Sequence, residues 1–118
     1  MYTIKTELEI SAAHRLNLNY DSPCSELHGH NWKIVLWIRG DVLNDNGMLV
    51  DFTFVKREIK ERYDHKFLND VLSVNPTAEN IAFDIANFLN HDAGILESAE
   101  CFRVEVQETT GNLAIWES

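Results

Sequence analysis

The sequence predicts an α+β fold: a four-stranded antiparallel sheet with two helices on one face, in the order β-β-α-α-β-β. Two observations carry this expectation. Residues 2–39 and 101–117 hold segments that alternate apolar and polar with a period of two. Residues 52–63 and 75–91 instead repeat their apolar positions at helical spacing. Strands at both ends and helices between them form a layer of sheet covered by helix.

The first strand is expected over residues 2–14. Ile4, Leu8, Ile10 and Ala12 share one parity; Thr3, Lys5, Glu7, Glu9 and Ser11 take the other. That is the pattern of a half-buried strand. His14 falls on the apolar parity. A polar loop, "NLNYDSPCSE", follows. Residues 28–39, "HGHNWKIVLWIR", read as the second strand. Trp32, Ile34, Leu36 and Ile38 share a parity with His28 and His30. Val35 and Trp37 make its other face partly apolar too, which implies a cover on both sides, such as another subunit.

A turn-rich connection with an Asn-Gly signal leads to Asp51, an expected N-cap. The helix across 52–63 is expected to bury Phe52, Val55 and Ile59. Thr77, after Pro76, is the expected cap of the second helix. Its buried stripe is Ile81, Ile85, Phe88 and Leu89. Residues 101–109 alternate again, with Phe102, Val104 and Val106 inward. "TTGN" is a turn and "LAIWE" the closing strand.

The length of 118 residues suits one domain, 1–118, with a real core. No apolar run approaches the roughly 20 residues that span a bilayer. The N-terminus alternates and carries acids, unlike a signal peptide, so a cytoplasmic protein without a membrane partner is expected. The net charge of −9 lacks the basic footprint of a nucleic-acid binder. Any phosphate site must therefore be built from local cations. The two cysteines, Cys24 and Cys101, argue against a disulfide framework.

Three of the five histidines lie on consistent strand parities. Residues two apart on a strand share a face and stand about 7 Å apart along it. His28 and His30 can thus converge on one atom, and His14 joins them if the first two strands pair as a hairpin. Three neutral imidazoles suit zinc and leave a fourth position open. Half-buried histidines with ordinary partners are the plainer reading, and the shared parity weighs against it. Cys24 has two readings: a fourth ligand closing a structural site, or a free thiol acting as base or nucleophile near the metal. Spacing does not choose between them.

Asp64 and His65 end the first helix. They are either a functional pair or a dipole-favoured histidine beside a solvated acid. His91 fits the second description. Glu108 continues the inward parity of Val104 and Val106. A carboxylate there needs a partner or a ligand unless the strand end already meets solvent. It could accept two hydrogen bonds from a guanidine-like edge such as that of a pterin.

"AAHRL", "CSELHGH", "YDHKFLN", "NPTAEN" and "VQETTGN" occur in the order seen in the 6-pyruvoyl-tetrahydropterin synthase family, and the resemblance runs along nearly the whole chain. It implies the tunnelling fold, in which subunits join sheets into a trimeric barrel and two trimers stack as a hexamer. It implies zinc on His14, His28 and His30, with Cys24 as the base. It also implies His65, oriented by Asp64, as a proton relay from a neighbouring subunit. Glu108 would anchor the pterin of 7,8-dihydroneopterin triphosphate.

The three residues between Cys24 and His28 resemble the 6-carboxy-tetrahydropterin synthase branch of the queuosine pathway, which releases acetaldehyde as well as triphosphate. The tetrahydrobiopterin enzymes have a longer interval. Another branch replaces the cysteine with glutamate; with Cys24 present, Glu26 need not take that role. Trp116 stands where the family usually has tyrosine. Arg15, Lys33 and Lys66 are candidate triphosphate cations by their closeness to the motifs. A sister enzyme making the 6-pyruvoyl product and a non-catalytic zinc protein remain alternatives. A cupin-like iron enzyme would need many more strands.

Overall fold

A computed structural model describes residues 1–118. Strand β1 (Tyr2–His14) pairs antiparallel with β2 (His28–Gly40). Helices α1 (Phe52–Tyr63), α2 (Leu68–Val71) and α3 (Ala78–Asn87) follow, then β3 (Glu100–Thr109) and β4 (Asn112–Glu117). The sheet order is β1-β2-β3-β4, antiparallel throughout. The expected order of elements holds. The single turn of α2 is an addition that the sequence reading passed over.

The caps work as their residue types predict. Asp51 accepts from the Thr53 N–H at 2.8 Å, and Thr77 accepts from the Asn80 N–H at 3.1 Å. After Asn87 the helical turns widen as far as Asp92.

The core lies between the sheet and the helices. Ile10, Trp32, Ile34, Leu36, Ile38, Val104 and Val106 meet Val55, Ile59 and Tyr63 of α1, Ile81 and Ile85 of α3, and Leu89 in the widened turns that follow it. Each such side chain contributes about 1.5–3 kcal/mol on burial.

Three expected core positions are corrected. Phe52 is exposed, and the buried residues of α1 are Val55, Ile59 and Tyr63. At about 100° per residue position 52 falls on the line of this stripe, so its exposure follows from its place as the first residue of the helix and not from the face it occupies. Phe88 is half-buried, roofed by the Arg62 guanidinium 4.8 Å from its ring. Phe102 does not point into the core: Cys101 does. The register shifts between Trp37 and Ile38, whose partners are Arg103 and Cys101. This irregularity reverses the parity at the start of β3 and sets Phe102 under the Arg39 guanidinium, 4.6 Å away.

The outer face of β2 is covered in part by the chain itself. Lys5 and Arg103 both lie over the Trp37 ring, at 5.7 and 4.8 Å. Charged heads on long apolar stems can roof an aromatic surface in this way.

Candidate metal centre

The β1–β2 register sets His14 opposite His28 and Ala12 opposite His30. All three imidazoles therefore share the inner face at the open end of the hairpin. His14 is fully buried, and Trp32 packs edge-on against both the His14 and His30 rings. Glu108, on the inner parity of β3, reaches the same place. Ligand atoms of His14, His28, His30 and Glu108 all lie within 4.8 Å of one another. Cys24 is not one of this group. It sits half-buried in a short 3₁₀ turn, Pro23–Ser25.

The hydrogen bonds around the rings decide which nitrogens are free. His14 Nδ1 lies 2.8 Å from the Pro76 carbonyl, and His28 Nδ1 lies 2.7 Å from the Glu26 carbonyl. A carbonyl only accepts, so each Nδ1 carries the proton. In the neutral rings both Nε2 atoms then present lone pairs, and they face each other at 3.0 Å. His30 Nε2 is 2.8 Å from Glu108 Oε1 but outside hydrogen-bonding geometry, a buried nitrogen with no hydrogen-bond partner. Converging lone pairs beside a carboxylate repel unless a cation lies between them. Zinc–nitrogen bonds of about 2.0–2.1 Å put tetrahedral ligand nitrogens about 3.3 Å apart. The donor set fits a divalent cation of the zinc type, with carbonyl acceptors orienting two of the ligands.

Burial lowers the His14 pKa. The Pro76 contact opposes this, His28 reinforces it, and Glu108 opposes it. The ring is thus held in the neutral, ligating form.

Asp64 and His65 are brought together, apart from the cluster. Asp64 Oδ2 is 3.1 Å from His65 Nδ1, and its Oδ1 accepts the Ser11 N–H at 2.8 Å. The Ser11 hydrogen bond is the main reason the Asp64 carboxyl lies below the usual carboxylate range, with His65 adding to it. The His65 N–H in turn donates to the Ser11 carbonyl at 2.6 Å. His65 takes φ 57°, a left-handed conformation, and its side chain is 81% exposed. It lines an open cleft of about 580 Å³ with Ser11, Ala13, Gly29, Asn31 and Lys66. Ser11, Ala13, Gly29 and Asn31 belong to the outer parity, but Ala12, His30 and Phe67 line the cleft too, so it lies at the edge of β1, where residues 65–67 pair with Ser11 and Ala13.

Of the suggested triphosphate cations, Lys66 lines that cleft. Lys33 lies 3.9 Å from Glu7 on the outer face, and Arg15 is exposed. Sequence reasoning passed over Glu79, which shares a cavity of about 430 Å³ with Glu108 and Asn112. An acid in the first turn of a helix is ordinarily explained by the dipole. It also passed over the Pro76 and Glu26 carbonyls, because a backbone acceptor leaves no residue-type signal.

Comparisons with known proteins identify the family of the chain and its fold. The family described as 6-pyruvoyl tetrahydropterin synthase matches residues 3–118. A 6-carboxy-5,6,7,8-tetrahydropterin synthase of Bacillus subtilis is 30% identical over 98% of this chain and 84% of its own. One from Synechocystis is 34% identical over 70% of each chain. The human 6-pyruvoyl tetrahydrobiopterin synthase is 28% identical over 96% of this chain and 89% of its own. Among solved structures, a 6-pyruvoyl tetrahydropterin synthase from Caenorhabditis elegans superposes with a TM-score of 0.71 at 24% identity. That match covers 99% of this chain and 95% of the other, and it reports on the fold.

Proposed function

The chain belongs to the 6-pyruvoyl tetrahydropterin synthase family, a pterin synthase family of lyase type, and we propose that within it this protein is a zinc-dependent 6-carboxy-tetrahydropterin synthase. It would convert 7,8-dihydroneopterin triphosphate to 6-carboxy-5,6,7,8-tetrahydropterin, releasing acetaldehyde and triphosphate. The observation that carries the metal is the convergence of the His14, His28 and His30 Nε2 atoms beside Glu108. The branch rests on the three-residue interval between Cys24 and His28 and on full-length similarity to the Bacillus subtilis relative of that name.

His14, His28 and His30 would hold the zinc. When bound, it would supply a Lewis acid that draws electrons from the side-chain oxygens of the substrate. Cys24 is the base that removes a proton from the substrate side chain. His65, held by Asp64, would relay protons in the site of a neighbouring subunit. Glu108 would accept hydrogen bonds from the pterin edge, and Arg15, Lys33 and Lys66 are the candidate cations for the triphosphate. Assembly as a trimeric barrel paired into a hexamer would join β4 to the part of the β1 edge that residues 65–67 leave open. A cytoplasmic place for this enzyme is part of the same reading.

The test is the product. Purified, zinc-loaded protein is incubated with 7,8-dihydroneopterin triphosphate, and acetaldehyde and triphosphate are measured. Both are expected. Triphosphate alone would assign the 6-pyruvoyl reaction, and neither product would sink both readings.

A further inference from the structure

Residues 15–17 leave the end of β1 directly after His14, and their backbone is held on two sides. On one side stand two asparagine side chains. The Arg15 N–H donates to Asn69 Oδ1 at 3.0 Å, and Asn69 Nδ2 donates to the Arg15 carbonyl at 2.9 Å. Two residues on, the Asn17 N–H donates to Asn75 Oδ1 at 2.9 Å, and Asn75 Nδ2 donates to the Asn17 carbonyl at 3.1 Å. Each amide thus does what a neighbouring strand does, pairing with both backbone groups of one residue. Residues 15 and 17 turn those groups to the same side, as an extended chain requires. Residue 16 must turn the other way. Its N–H donates to the Cys24 carbonyl at 2.8 Å.

The two asparagines are anchored independently of the cysteine loop. Asn69 lies in α2. Asn75 gives its own carbonyl to Asn80 Nδ2 at 2.8 Å, in the first turn of α3. The helical layer therefore grips residues 15–17, and those residues grip the loop of Cys24.

We propose that Asn69 and Asn75 are positioning residues for Cys24. They act through the Leu16 N–H and keep the thiol in one place relative to the histidine cluster. The inference rests on the role given to Cys24 above, but its test does not need turnover.

The probe is iodoacetamide, applied to the zinc-loaded protein, with alkylation of each cysteine followed by peptide mass spectrometry. Cys101 is an internal control: it is 1% exposed, and burial pushes its thiol up to about 12. Asn69→Ala and Asn75→Ala should each speed Cys24 alkylation about fivefold, and the double variant, because both act through the one Leu16 N–H, by more than either alone but by less than the product of the two. Cys101 should stay silent. Should an alanine variant fail to fold, Asn69→Asp and Asn75→Asp take its place. An aspartate still accepts the backbone N–H but cannot donate to the carbonyl, so a smaller acceleration is expected.

A role in general stability would speed both cysteines together, and that result overturns the proposal. So does an unchanged Cys24 rate in the folded variants. In the product assay the same variants should lower kcat and leave KM within about twofold, because the pterin contacts remain. A wild-type protein without synthase activity would remove the functional reading while leaving the alkylation result to stand or fall separately.

Discussion

His14 Nδ1 donates to the Pro76 carbonyl at 2.8 Å, and this bond between the end of β1 and the start of α3 settles which face of the imidazole is free. The ring is fully buried, and burial holds its pKa below the ordinary 6.5. The folded chain therefore resists protonation that the unfolded chain accepts. The contribution of this group to stability is whole above the unfolded value near 6.5. It is lost as pH falls below that value toward the lowered folded one. Metal-free protein should show a urea midpoint that drops between about pH 7.5 and about pH 5.5. A midpoint that is flat or rises over that interval would contradict the assignment.

Cys24→Ala separates a catalytic thiol from a structural ligand. The three histidines converge without it. The variant should keep one zinc per chain by metal analysis and fold normally. Turnover should fall at least about 100-fold, as loss of an acid–base group does. Loss of the zinc would restore the closed structural site.

His65→Gly should set stability against activity. His65 holds φ 57°, where a side chain is strained and glycine is not. Thermal unfolding should rise slightly, by an amount worth up to about 1 kcal/mol. The proton relay disappears with the imidazole, so product formation should collapse. A destabilised variant would mean that the exposed ring makes a packing contribution.

Tyr63→Phe tests the brace behind the Asp64–His65 turn. The Tyr63 hydroxyl donates to Asp84 Oδ2 at 2.6 Å and accepts from Arg62 Nε at 3.1 Å, joining α1 to α3. Burial, then the Asp84 contact, raises its pKa far beyond the physiological range. The hydroxyl is therefore neutral, and its removal should not introduce a pH step near neutrality. Urea unfolding should report a loss of about 1–3 kcal/mol, because Asp84 and Arg62 lose a buried partner. A loss under about 0.5 kcal/mol would mean that the two charged groups satisfy each other without it.

Much was legible in the sequence because period and chemistry coincide. A period of two put His28, His30, Trp32 and Ile34 on one face, and the hairpin brought His14 to His28 as parity requires. The same rule led to Glu108. It failed at Phe102, because one irregularity in β3 reverses parity and no residue type announces it. On α1 the apolar Phe52 was read as core, and the tertiary packing left it in solvent.

By itself the sequence determined the order of elements, the inner faces of the strands and the set of metal-type donors, since these follow from local periodicity and side-chain chemistry. Only the tertiary structure decided that the histidine rings are oriented by the Pro76 and Glu26 carbonyls. Only it set Asp64 and His65 against Ser11 at the edge of β1, and tied the Cys24 loop to Asn69 and Asn75 through residues 15–17. Those are contacts between segments distant in the chain, made largely by backbone groups that every residue carries alike. A sequence holds no local mark of them, and they exist only once the sheet and helices have packed.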